Sequence, residues 1–270
     1  MSAEMRAPAV AGRFYPADEQ SLRSQVAQFT GAAGAGERCL GLMAPHAGYM
    51  YSGAVAGETY ARVRVPDRAI VLSPNHTGRG VRGAIWPAGA WRLPGSEVAV
   101  DDDLRDRLLA ASPLLQPDRR AHEREHSLEV QLPFLQARNP AVRIAALTLA
   151  GLEQAECLAL GRAIATVVRA LGGDVLLCAS SDMSHYIPAR AAAERDHRAL
   201  DRLLALDPAG LFQVVEREEI SMCGFIPATV MLAAAVELGA RTAEVIRYAS
   251  SGDVSGDYDS VVGYAGVIVR

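Results

Sequence analysis

Three stretches decide the fold: LGLMAPH at residues 40–46, AIVLSPNH at 69–76 and VLLCASSDMSH at 175–185. Each runs from a short apolar segment, which reads as a buried strand, through a turn to a histidine. Extended over the chain, the same reading places strands near 40–44, 69–73, 143–149, 174–179, 242–248 and 261–269. Helices fall near 18–30, 53–62, 101–111, 127–138, 153–170, 190–205, 208–217 and 227–238. Strands alternating with helices are the signature of βα units. The expectation is an α/β fold with a mostly parallel central sheet flanked by helices, residues 1–270 forming one domain. In such a sheet, residues just past the carboxyl ends of the strands line the crevice where ligands bind. His46, His76 and His185 are therefore expected on one rim.

Local signals sharpen this outline. Asp101 ahead of Leu104 and Leu108, and Asp207-Pro208 ahead of Leu211, have the form of helix N-caps. The segment 79–98, with Trp86, Pro87, Gly89, Trp91, Pro94 and Gly95, reads as short strands joined by turns. Gly31–Gly36 is the one linker-like piece, and no repeat interrupts the chain.

Composition excludes several classes of function. Half of the residues are hydrophobic, enough for a substantial core, and the formal charge of -4 implies no basic face for nucleic acid. No apolar run approaches the roughly 20 residues that span a bilayer, and no basic-then-apolar leader opens the sequence. The expectation is a cytoplasmic protein with neither a membrane nor nucleic acid as partner. All 27 basic residues are arginine. Without lysine there is no P-loop ammonium, Schiff-base aldolase or pyridoxal aldimine. Neither GxSxG nor a strand-linked GxGxxG occurs. The four cysteines lack CxxC spacing, which disfavours a disulfide framework or zinc ribbon. Most of them read as small buried hydrophobes.

The histidine turns carry the chemistry. Pro45 holds the chain extended and Gly48 permits a tight turn, so His46 projects from its strand end. Pro74-Asn75-His76-Thr77-Gly78 repeats the arrangement. A lone histidine of this kind serves equally well as a hydrogen-bonding cap on a sheet edge; two in succession favour a site. Asp182 stands near enough to His185 to orient an imidazole or accept a proton, and could also simply form a turn. Cys223, in Ser221-Met222-Cys223-Gly224, precedes a helix whose dipole favours a thiolate, although a buried core cysteine has the same local look. With two strand-end histidines it would complete a His/His/Cys set suited to iron, copper or zinc. Neutral imidazole is the commonest metal ligand and also carries protons near neutral pH.

A literal H-E-x-x-H, His122-Glu123-Arg124-Glu125-His126, raises a competing zinc hydrolase reading. Its context is poor: charge fills every interior position, and apolar periodicity begins only after His126, where Ser127 has the form of an N-cap. His126 alone entering the shared crevice is the better reading. The Ser/Gly/Asp-rich link at 248–258 reads as a surface loop or a site mouth, and His197 as a solvated helix position.

These segments, in this order, resemble the Memo family, whose bacterial and archaeal members are called AmmeMemoRadiSam system protein B. The similarity runs nearly end to end: AVAGRFYP at 9–16, APHAGY at 44–49, PNH at 74–76, EHSLEVQLPFLQ at 125–136, SSDMSH at 180–185, MCG at 222–224, YASSGD at 248–253 and SVVGYAG at 260–266. The resemblance implies a fold like that of class III extradiol dioxygenases, non-haem iron enzymes in which two histidines and a glutamate hold the metal. His46 and His76 match the histidine ligands, and Cys223 stands where the carboxylate would be. His185 matches the acid/base histidine and His126 a further pocket histidine, while His122 matches no functional position. A thiolate in place of a carboxylate shifts preference toward copper or zinc and puts ring cleavage in doubt. The expected cofactor is one transition metal ion, iron or copper with zinc as a further candidate. Metal-dependent redox or oxygen chemistry on an unidentified small molecule is the leading expectation, with His185, Asp182 and His126 moving protons. A non-catalytic module that holds a peptide in the same crevice is the alternative. The family association also names AMMECR-type and radical SAM proteins as partners.

Overall fold

A computed structural model describes residues 5–31 and 34–270, so the first four residues and the middle of the Gly31–Gly36 piece lie outside it. Four strands form the parallel heart of a nine-stranded sheet, in the order Gly41–Ala44, Leu176–Ser180, Arg68–Pro74 and Arg143–Leu149. Their side chains alternate between two cores, as the two-residue period of a strand requires. Met43, Ile70, Leu72, Leu147 and Leu177 face one core, which the helices Gln154–Ala170 and Phe225–Glu237 complete. Leu42, Val71, Ala146, Leu176 and Cys178 face the other, closed by Glu19–Thr30, Tyr49–Arg62 and Leu132–Arg138. Burial on both faces explains why these strands read as continuous apolar runs.

The central strands are parallel as expected; antiparallel strands flank them on both sides, and the outermost strand Gln116–Pro117 runs parallel to Gly83–Ile85. Gly83–Ile85 runs antiparallel to Arg143–Leu149, and Val261–Val269 runs antiparallel to Gly41–Ala44, Ala243–Ser250 and His185–Ile187. Link length explains why the chain turns back after Pro74 and after Ser250. A parallel return needs a crossover of about a dozen residues, and the links after Pro74 and Ser250 are shorter. Segment 79–98 forms short strands as expected; Ala90–Leu93 pairs with Ser96–Ala99 and with Met5–Arg6 in a separate three-stranded sheet.

Asp101 and Asp207 cap their helices, accepting from the Leu104 and Gly210 amides. Two helix starts differ from expectation. The helix expected from residue 53 begins at Tyr49, four residues earlier. Residues 127–138 form a 3-10 turn, Glu129–Gln131, before the α-helix Leu132–Arg138. Ser127 is no N-cap, because its hydroxyl bonds Glu125 instead. The link after Tyr248 contains a short helix, Gly252–Ser255, rather than loop alone. Among the described residues no helix is long and apolar enough to cross a membrane.

Candidate metal centre

Strand order builds the site. Gly41–Ala44, Leu176–Ser180 and Arg68–Pro74 are neighbours pointing the same way, so their carboxyl ends form one edge. His46 and His76 each lie two residues beyond a strand end, and Asp182 two beyond the third. Cys223 arrives from elsewhere, on the turn before Phe225–Glu237. That turn presses hard on the edge: a Cβ on Gly224 would lie 2.2 Å from the Ser180 carbonyl oxygen and 2.5 Å from Ser181 Cβ. Glycine is needed here for close approach. The Gly224 amide also donates to Ser181 Oγ at 3.0 Å.

One ligand atom each from His46, His76 and Cys223 lie within 4.8 Å of one another. Cys223 Sγ is 3.2 Å from His46 Nε2. Donors around a tetrahedral ion sit roughly 3.5 Å apart, given metal–nitrogen and metal–sulfur bonds of about 2.0–2.3 Å, so small side-chain movements suffice to close the set. His46 forms the floor at 1% exposure, whereas the His76 side chain is 34% exposed at the mouth.

Hydrogen bonds fix which ring nitrogen each imidazole offers. Ser180 Oγ donates to the Ser127 carbonyl at 2.7 Å and accepts from Gln131 Nε2 at 2.8 Å. It is 2.9 Å from His46 Nδ1, and with its own proton committed it accepts there too. His46 is thereby the Nδ1–H tautomer, with the Nε2 lone pair turned to Cys223. His76 Nδ1 lies 2.9 Å from Glu125 Oε1 and His185 Nδ1 lies 2.8 Å from the Ser221 carbonyl oxygen. All three rings therefore use Nδ1 as a donor, leaving Nε2 unprotonated in the neutral ring. Such partners are what metal-ligating histidines characteristically have.

Electrostatics hold His46 and Cys223 uncharged, whereas His76 is raised above its ordinary pKa, the opposing effect of burial being outweighed by the Glu125 hydrogen bond and charge. Burial, reinforced by His126 and His76, holds His46 well below its ordinary pKa. Burial pushes His126 down to about 4 against the pull of Glu125. The Cys223 thiol is pushed well up, first by burial and then by Asp182. Burial also lifts Asp182 to about 6, against the stabilising amide bond from His46 at 2.7 Å.

Of the residues expected at the site, His46, His76 and Cys223 come together as a set. His126 joins the rings, its centroid 4.8 Å from that of His76 and 5.5 Å from that of His46. Asp182 is buried with Oδ2 3.9 Å from His46 Nε2. His185 is tied to the cysteine turn through Ser221. The HEREH segment is a turn, not a helix, and its two histidines part company. His122 is fully buried against Trp86, Trp91 and Thr148, so it does not share a face with His126. His197 is exposed, as expected, and Cys39, Cys157 and Cys178 are buried. Glu125 escaped the sequence reading, where it looked like one more charge in a polar run. It is 1% exposed, and its carboxylate accepts from the His76 amide, the His76 ring and Ser127. Only an acid standing directly before an apolar run beside His126 hinted at it.

The sequence profile of Memo-like protein matches residues 6–268. A MEMO1 family protein of Methanopyrus kandleri is 40% identical over 279 residues, covering 98% of this chain and 99% of its own. Another from Methanosarcina mazei is 39% identical over 269 residues, covering 99% of this chain and 100% of its own. Among solved structures, an uncharacterized protein of Escherichia coli K12 superposes with a TM-score of 0.58 at 14% identity, covering 84% of this chain and 99% of its own. That likeness concerns the fold alone.

Proposed function

This chain belongs to the Memo-like protein family, and from that premise we propose that His46, His76 and Cys223 hold one transition metal ion for redox or oxygen chemistry on a small molecule. The observation that carries the proposal is the convergence of two Nδ1-anchored imidazoles and one sulfur at a strand-end crevice. Two neutral nitrogens and a thiolate suit iron, copper or zinc. When bound, the ion would supply Lewis acidity and, if iron or copper, an electron-transfer couple.

The surrounding residues manage geometry and protons. Ser180 and Gln131 hold His46 in one tautomer. Asp182, whose carboxyl burial holds above its ordinary range, presents Oδ2 3.9 Å from His46 Nε2 and would take or give a proton there. His126, held neutral by burial, is able to accept one beside His76. His185, its Nδ1 held by the Ser221 carbonyl, presents Nε2 as a further proton carrier. The carboxylate-free ligand set distinguishes this centre from the two-histidine, one-carboxylate site of extradiol dioxygenases.

Metal analysis of freshly purified protein tests the reading. The native chain is expected to carry about one transition metal, lost in Cys223→Ala and kept in His122→Gln. Loss in His122→Gln with retention in Cys223→Ala would instead favour the HEREH segment. One observation favours a second reading, in which the crevice holds a peptide: Tyr186, beside His185, is 77% exposed and Met50, near His46, is 65% exposed. A His46→Ala/His76→Ala double variant that still bound its partner, with no turnover by the native protein on a catechol panel, would support that second reading.

A further inference from the structure

We propose that Glu125 is the positioning residue of this centre: it locks His76 in the Nδ1–H tautomer. The inference rests on the metal-binding reading above. Its basis is the way both carboxylate oxygens are used. Oε2 accepts from the His76 amide at 2.6 Å, and Oε1 faces His76 Nδ1 at 2.9 Å. One carboxylate thus grips both the backbone and the ring of the same residue, which fixes χ1 as well as the tautomer. Oε1 also accepts from the Ser127 amide at 3.0 Å and hydroxyl at 2.7 Å. His126 Nδ1 stands 3.5 Å from the same oxygen.

Glu125 is itself held from behind. The Arg6 guanidinium donates to the backbone carbonyls of His122 and Glu125 and to the Glu129 carboxylate. Through these bonds the N-terminal strand Met5–Arg6 fastens the turn that carries Glu125 and His126. The pattern is that of a carboxylate–histidine–metal chain, in which the outer carboxylate orients the ring and raises its donor strength.

Glu125, His76 and His126 also offer ligand atoms within 4.8 Å of one another, which raises a second ion as a competing explanation. The hydrogen bonds argue against it. Oε1 already receives three donors and Oε2 one, and an ion held through His76 Nδ1 would have to displace the proton that faces Glu125.

Nitrogen-15 NMR of histidine-labelled, metal-free protein, combined with zinc titration of native and Glu125→Gln chains, tests this. At alkaline pH, where the ring is neutral, His76 is expected as the Nδ1–H tautomer in the native protein. In Glu125→Gln the amide group must turn a donor toward either the His76 amide or its ring, so a mixture of tautomers is expected. Zinc affinity, read by chelator competition, should fall by roughly 10- to 100-fold, with the stoichiometry unchanged at one ion. An Nε2–H tautomer for His76 in the native chain would overturn the proposal without recourse to any variant. Unchanged zinc affinity in Glu125→Gln would overturn it as well, as would a fall from two zinc ions to one. A native chain that bound no zinc, iron or copper would defeat the metal reading, while the tautomer measurement would still decide the role of Glu125.

Discussion

At the scale of single residues, Cys223 makes the centre what it is. Its thiol is neutral because burial and the nearby Asp182 oppose ionisation, and a bound cation would reverse that balance by coordinating the thiolate. Ion uptake should therefore release a proton from Cys223. The expected consequence is that metal affinity rises by about tenfold per pH unit around neutrality, checked by zinc titration in buffers of different ionisation enthalpy. A pH-independent affinity would mean that the sulfur is not a ligand. His122 shows the opposite use of a histidine. Burial and the Arg6 cation depress it to about 3, so the folded chain keeps it neutral where the unfolded chain, near 6.5, is protonated. The stability this contributes is whole above about pH 6.5 and is lost as pH falls toward 3, at about 1.4 kcal/mol per pH unit. His122→Gln should flatten the loss between pH 6.5 and 5 by about 1–2 kcal/mol, read from urea midpoints at the two pH values.

At the scale of elements, the site depends on how closely the Phe225–Glu237 helix approaches the strand edge. Gly224→Ala places a methyl group against the Ser180 carbonyl and Ser181, so the cysteine turn must retreat. We expect a stability loss of about 1–3 kcal/mol and a weaker zinc affinity, measured together by denaturation and chelator competition. The Met5–Arg6 strand is the second dependency. Arg6, 2% exposed, satisfies Glu129, which also accepts from the amides of Ala9 and Val10 and from the Tyr15 hydroxyl. Arg6→Met would leave that buried carboxylate without its cation, at a cost of about 3–5 kcal/mol. The Arg6→Met/Glu129→Gln pair should recover part of the loss in thermal or urea unfolding.

At the scale of the molecule, some of this design is legible in the linear sequence and some is not. His46 and His76 are readable because strand, turn and histidine are contiguous, and parallel neighbours must end on the same edge. The antiparallel returns after Pro74 and Ser250 follow from link lengths that apolar periodicity alone does not weigh. Cys223 carries no local mark that separates it from a core cysteine, and only its pairing with the two strand-end histidines and the family resemblance single it out. Glu125 is hidden for a different reason: its carboxylate is partnered by His76, which lies far away in the chain, so a buried acid looks like surface charge. The HEREH match misleads for the same cause, since Trp86, Trp91 and Thr148 draw His122 away from His126. Whether sulfur and imidazole nitrogen share one ion is read most directly by X-ray absorption spectroscopy of the metal-loaded protein. One sulfur scatterer is expected at about 2.3 Å with nitrogen neighbours at about 2.0–2.1 Å, the sulfur vanishing in Cys223→Ser. A shell of nitrogen and oxygen alone in the native protein would contradict a shared ion.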